Sequence, residues 1–582
     1  MMGSFCNPVN IPYQYQHYGK AAHREAADPT MILYKNKYYL FASMSGGFYW
    51  SEDLQNWHYH QNKELDLYRY APDVREVNGK LIFCASTRNK PSTFWRTDDP
   101  LSDKWERVSA PFDFWDPNTF QDDDGRVYFY WGCDAGKPIY GIELDPMTLT
   151  PIGEKKELIF DCHDTHGWER NVYPGAPEKR YSLGEELLYF LMKISGNGGK
   201  NSTYIEGAYM NKWNGRYYLQ YSAPATESAT YGDGVYVGDS PLGPFTYQVH
   251  NPVSFKPSGF MTGAGHGSTI EDKYGNLWHT ATMRVSVNAN FERRIGLFPA
   301  GLDKDGNFFC NQNFADYPME IPEGRFNPMT IMPKWMLLSY NKTVTASSYI
   351  SGYEPKLAVN EDVRTCWCAN ASTGEWMQVD LGEIYEVSAV QINLADVGIP
   401  VKKVDKKLKS DFTTNCRWID LNKGRYTRWT LESSKDGVNW SLLIDKSEAE
   451  TDLSNDYIAL DAPVKLQYLR LTAKELPYGA RFAVSGFRVF GKGNAGIPDE
   501  VTEAKIEKID DMTAKVSWNP VFGAQGYNIR YGIAPDKLYL SHLIYDETEV
   551  LLTALNKGQK YYVCVDSFGE GGIREGKTIK LQ

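Results

Sequence analysis

Five stretches far apart in the chain each carry, near their start, a side chain that can hold or move a proton. These are Asp28 in ADPT, Asp73 in YAPD, Asp116 in FWDPNTF, Glu206 in IEGAY and His266 in GAGHGS. Behind each come a few apolar positions, a turn at Gly or Asn, and an aromatic-rich run, so the five are copies of one unit. They read DPTMILYKNKYYLFAS, PDVREVNGKLIFCAS, DPNTFQDDDGRVYFYWG, EGAYMNKWNGRYYLQYS and GHGSTIEDKYGNLWHTAT. Carboxylates gathered by such a repeat can divide the work of a general acid and a general base. Packing does not explain them, because an unpaired buried carboxylate is costly. Asp73, in the APD step, reads instead as a turn cap or the partner of an Arg.

The elements that would gather them are hairpins. Asn-Gly, Asp-Gly and Gly-Asn pairs at the turns supply the positive φ that tight hairpins require. Each copy therefore reads as the inner two strands of a four-stranded sheet, and SEDLQNW, RTDDPLSDKW and GDSPLGPF read as third-strand signals. Successive openings lie 45, 43, 90 and 60 residues apart, the spacing of propeller blades with insertions. In such a fold the innermost strands border a central channel, so the five leading residues converge on one funnel.

At 582 residues the chain exceeds what one core serves, and two to four domains are expected. Its 40 Tyr, 26 Phe and 16 Trp suit either a β-rich fold or the stacking of sugar rings on aromatic planes. A net charge of -11 without a sustained basic run argues against a nucleic-acid partner. The Lys-rich stretch 401–409 reads as a solvated loop. Nine scattered Cys do not make a disulfide framework, and Cys366 and Cys368 are too close to bridge. No apolar run reaches the length of a membrane-spanning helix. The N-terminus MMGSFCNPVN lacks a signal-peptide core; MGS reads as a cloning scar, so an export signal is expected to have been removed.

The order and spacing of the five motifs resemble glycoside hydrolase family 43, with family 62 a close relative, over about residues 5–330. The resemblance implies an all-β fold with a five-bladed β-propeller catalytic domain at 1–335. It implies hydrolysis with inversion: Asp28 activates water as general base, and Glu206 protonates the leaving oxygen. Asp116 would orient Glu206 and keep its proton on, as a nearby negative charge does. His266 is expected beneath the sugar, in contact with a channel cation or ordered water. No cofactor is required by this reading, and calcium or another cation near His266 is the metal expected. Of the blade-five pair Arg293 and Arg294, Arg294 is the one assigned to the sugar. Tyr70 is expected to stack on it, with Phe48, Trp50 and Trp115 as further contacts that also suit a blade-to-blade core. The partner is then a plant polysaccharide or oligosaccharide, and the location secreted, periplasmic or cell-surface.

Past the Pro-rich stretch IPEGRFNPMTIMPKW, residues 336–493 resemble a discoidin (factor 5/8 type C) jelly roll, through VTASSYISGYEPKLAVNEDVRTCWCAN, WMQVDLGEIYEVSAVQI and FRVFGKG. Modules of this kind often hold calcium in the loop matching Val359–Thr365 with a late Glu, but Gly486 stands at that late position. Residues 494–582 resemble a fibronectin type III sandwich, with Trp518 and Tyr562 expected in its core. An exo-acting α-L-arabinofuranosidase is the first expectation and a β-xylosidase the second, with a β-galactofuranosidase or exo-galactosidase also open. A propeller that only binds glycans is the alternative of another class, disfavoured because all three carboxylates are present. A retaining fructan enzyme would want NDP and RDP motifs, and neither occurs.

Overall fold

The computed structural model describes residues 3–18, 21–62, 64, 65, 67, 69–86, 92–109, 112–176, 203–399, 418–420 and 425–581. The Lys-rich stretch 401–409 lies outside them. The described chain is all-β apart from short 3-10 turns. Its first part holds five antiparallel sheets of four or more strands, laid down one after another. Their innermost strands are Ala27–Tyr34, Asp73–Val77, Asn118–Gln121, Tyr204–Trp213 and Thr262–Glu271. Each touches the next, and the fifth touches the first, so the ring closes into a five-bladed propeller.

Strand alternation explains why these segments are so rich in apolar side chains. In Lys37–Ser43, Tyr38, Leu40 and Ala42 face one way, into a core shared with Trp278, Ile295 and Leu297 of blade five. Tyr39 and Phe41 face the other way, toward Val74, Leu81 and Phe83 of blade two. A blade between two neighbours buries both faces, so its inner strands read as nearly continuous hydrophobic runs.

The presumed third-strand signals are in fact turns joining third to fourth strands. SEDLQNW falls between Gly47–Ser51 and His58–Gln61, RTDDPLSDKW between Thr93–Thr97 and Glu106–Ser109, and GDSPLGPF between Gly232–Gly238 and Phe245–Tyr247. Their Asp residues do turn work: Asp53 accepts from the backbone N–H of Gln55 and Asn56, and Asp99 from that of Leu101.

The second sandwich has the strand order Met336–Leu337, Ala483–Lys492, Trp376–Leu394, Asn455–Glu475, Arg428–Ser434, Trp440–Asp445, with two further short strands. It surrounds Trp367, Trp429, Phe482 and Phe487. The third sandwich pairs a three-stranded with a five-stranded sheet. Both lie hard against the propeller. A Cβ on Gly486 would come within 2.7 Å of the Phe260 ring, so glycine there lets the second sandwich seat on blade five. Trp518, Tyr527 and Ile529 of the third share one core with Trp168, Tyr221 and Tyr236 of the propeller. Trp518 is buried as expected from sequence. Tyr562 is only half-buried; its neighbour Tyr561 takes the core place and accepts from the Asn556 N–H at 2.8 Å.

Candidate active site

The proton-moving residues sit where the inner strands break register. Pairing slips between Ala27 and Thr30, between Glu206 and Tyr209, and on either side of Gly265. Asp28, Asp116 and His266 adopt left-handed backbone, with φ of 50°, 53° and 49°. That conformation is uncommon outside glycine, and a bulge re-aims its side chain. Here the bulges turn side chains into the channel.

A hydroxyl holds most of these bent points. The N–H of Asp28 donates to Thr282 Oγ1 (2.8 Å), that of Ala71 to Ser43 Oγ (2.7 Å), that of Asp116 to Ser86 Oγ (2.8 Å) and that of His266 to Ser222 Oγ (2.7 Å). Ala71 is itself left-handed, with φ of 46°. Ser43, Ser86, Ser222 and Thr282 occupy matching places in the repeat, at or near the end of their blade's second strand. Each holds the opening of the following blade. Blade three breaks the pattern with Gly132, and the next residue, Cys133, reaches the Glu206 carboxylate instead.

The surroundings shift Asp28 and Asp116 in opposite directions. Burial pushes the Asp28 carboxyl up, but Arg293, His266 and the Ser43 hydroxyl outweigh it and hold the group below its ordinary range. Ser43 Oγ donates at 2.5 Å, and Arg293 Nη1 lies 3.3 Å away. Arg293 is anchored in turn by Glu25 and by Thr226 Oγ1. Asp116 is pushed up to about 7 by burial, with the Glu206 and Asp28 charges adding to it and His266 opposing. Glu206 accepts from Tyr231 Oη (2.5 Å) on one oxygen and from the Cys133 thiol (2.9 Å) on the other. Burial and the two acids push the Cys133 thiol far up, so it stays a neutral donor.

His266 lies between the two sides, its Nδ1 3.5 Å from Asp28 and 3.8 Å from Asp116. Burial opposes its charge, but Asp28, Asp116 and Glu206 prevail and raise its pKa above the usual imidazole value. Glycines make the space: a Cβ on Gly207 would meet the His266 ring at 3.0 Å, and one on Gly265 the Tyr231 ring at 2.6 Å.

The expected calcium finds poor footing here. Among the described residues, the group close enough to share a cation is Asp116, Cys133 and Glu206, and His266 is not part of it. Calcium takes six to eight oxygen ligands, which that group does not offer. The loop at 359–365 is also committed elsewhere: Glu361 forks onto Arg488, Asp362 onto Arg364, and Asn360 onto Thr365.

Of the other expected contacts, Tyr70 lies beside the site, with the Arg293 guanidinium 5.6 Å from its ring centre. Trp115 lines an open hollow of about 260 Å³ with Cys133, Asp134 and Tyr140, at the edge of the acid side. Three assignments are corrected. Phe48 is wholly buried, stacked on Phe41 at 4.7 Å between blades one and two. Trp50 packs on His58 (4.3 Å) in the outer strands of blade one. Arg294 points away from the channel to Asn455 of the second sandwich and the Arg24 carbonyl, and Arg293 is the arginine at the carboxylates. Successive side chains of a strand face opposite ways, so one of the two had to point outward. The sequence reading did not include Ser43, Tyr231 or Cys133. The recurring Ser or Thr that closes FAS, CAS, QYS and TAT was the available signal for the first.

The family described as Glycosyl hydrolases family 43 matches residues 22–308, and the NedA-like, galactose-binding domain matches residues 357–471. The chain is 28% identical to Xylosidase/arabinosidase 43A of Humicola insolens, over 41% of this chain and 73% of that protein. It is 30% identical to a Beta-xylosidase of Xylanibacter ruminicola, over 36% of this chain and 62% of that protein. Among solved structures, a thermostable family-43 glycoside hydrolase is 21% identical, with 56% of this chain and all of that one covered and a TM-score of 0.42. Residues 22–308, which hold the propeller blades, are thus similar to glycosyl hydrolases family 43, and residues 357–471 to a galactose-binding domain.

Proposed function

We propose that the protein is an exo-acting, inverting glycosidase that removes terminal sugars from plant polysaccharide side chains. α-L-Arabinofuranose is the first choice and β-xylose the second. The names of the relatives, a xylosidase/arabinosidase and a beta-xylosidase, support that pair. The observation that carries the reading is the arrangement around His266: Asp28 is held below its ordinary range by Arg293 and Ser43, and on the other side Glu206 is aimed into the channel by Tyr231 and Cys133.

Asp28, kept ionised by Arg293 and Ser43, takes a proton from the attacking water. Glu206 gives a proton to the leaving oxygen, its carboxyl aimed by Tyr231 and Cys133. Asp116 shares the proton economy of that cluster, and His266, when protonated, restrains the mutual repulsion of the acids. Inversion asks for roughly 6.5–9.5 Å between acid and base, so that water fits. We further read the chain as three units dividing near residues 335 and 493, the last resembling fibronectin type III, and as acting outside the cytoplasm.

A panel of nitrophenyl furanosides and pyranosides tests the reading. The wild type should cleave an arabinofuranoside or a xyloside, and Glu206→Gln should lose about 10²–10⁴-fold on natural glycans while folding normally. Near-normal activity of that variant on polysaccharide would exclude Glu206 as the acid.

A further inference from the structure

One cleft, away from the channel, holds none of the five residues gathered there. It has a volume of about 760 Å³ and opens between the outer edge of blade one and the second sandwich. One wall is the stretch Gln55 to Gln61; the other is Arg425 with Glu450 to Leu453; the N-terminal segment at Asn10, Pro12 and Gln14 forms the floor. Its size lies within the roughly 300–1,000 Å³ range of small-molecule sites.

Its chemistry is that of a neutral, hydroxyl-rich ligand. Trp57 and Tyr59 are half-buried, each presenting ring surface while its polar end is tied back: Trp57 Nε1 to the Leu54 carbonyl, Tyr59 Oη to that of Ser45. The charges largely answer one another. Asp452 is engaged by Arg24 at 2.7 Å and faced by Arg425 at 3.7 Å, and Arg425 also donates to Gln14. The side chains of Gln61 and Thr451 make no hydrogen bond to any described residue and are left to serve a ligand. An anionic ligand would meet Glu450 and Asp452, and a cationic one Arg425. Ring faces flanked by free amide and hydroxyl groups suit sugar rings, whose C–H faces stack and whose hydroxyls both donate and accept.

We propose that this cleft is a second glycan-binding site, which holds a neutral segment of the polysaccharide while the propeller funnel works on another. The choice of ligand rests on the proposed glycosidase activity. Two sites on one polymer raise retention without any change at the cleavage site, because the second binding event becomes intramolecular.

The test uses the full chain with Glu206→Gln, so that the polymer survives, and measures retention on insoluble arabinoxylan. Two variants attack opposite walls: Trp57→Ala removes the ring, and Thr451→Trp fills the cleft from an exposed position. Each should lower retention by about tenfold or more. The same changes in the active chain should leave turnover of small nitrophenyl glycosides unchanged. Retention unaffected by Thr451→Trp, or retention and small-substrate turnover falling together, would overturn the proposal. Cleft-dependent retention by a chain whose wild type cleaves no glycoside would refute the glycosidase reading and leave the second site standing.

Discussion

Arg293 and Arg294 are chemically identical neighbours with opposite surroundings. The first holds Asp28 ionised beside the channel; the second is buried against Tyr13 and Asn455. Arg293→Gln removes a charge that lowers the Asp28 carboxyl, so the acid limb of the pH–rate profile should move to higher pH, by about a unit or more. Arg294→Gln should leave both limbs in place and lower only thermal stability. Asp116 gives a complementary test. Asp116→Asn removes the carboxyl whose ionisation near pH 7 opposes loss of the proton from Glu206, so the alkaline limb should move to lower pH, and substrates with activated leaving groups should lose less rate than natural glycans. An alkaline limb that stays in place, with equal losses on both kinds of substrate, would make Asp116 a purely structural residue.

At the scale of elements, the left-handed openings depend on the strand ends of the preceding blade. Thr282→Val keeps the shape and removes the acceptor of the Asp28 N–H, leaving a buried donor unpaired at a cost of about 1–3 kcal/mol. Urea unfolding should register that loss, and kcat should fall because Asp28 is no longer fixed. Much of this frame was legible in the sequence, because period-two patterning and turn pairs recur five times and each copy checks the others. What was not legible is parity within doublets. In Arg293–Arg294 and Tyr561–Tyr562 residue type cannot say which member faces inward; only the register with neighbouring strands does. Phe48 and Trp50 were misassigned for a related reason: an aromatic near the funnel in sequence is equally at home between two blades. The turns after the third strands were mistaken for strands because their aromatic ends resemble strand starts.

The whole molecule is tied together by buried polar links across its units as well as by shared apolar cores. Arg488 of the second sandwich forks onto Glu361 and also donates to the Asp316 carbonyl of the propeller, with both charged side chains buried. Arg488→Met should destabilise the chain by about 3–5 kcal/mol, because it leaves Glu361 buried and unpaired. Adding Glu361→Leu should recover most of that loss in the same urea titration. Arg24 links the units near the catalytic side: it pairs with Asp396 and Asp452, and its strand neighbour Glu25 anchors Arg293 beside Asp28. The sandwiches therefore contribute to the rigidity of the site. On the proposed reading, this assembly delivers a single displacement by water, with Asp28 as base and Glu206 as acid. Proton NMR of the sugar released in the first moments of hydrolysis reads that outcome most directly. The anomeric configuration should be opposite to that of the substrate, and release with configuration retained would contradict the account, replacing the water-activating base with a covalent nucleophile.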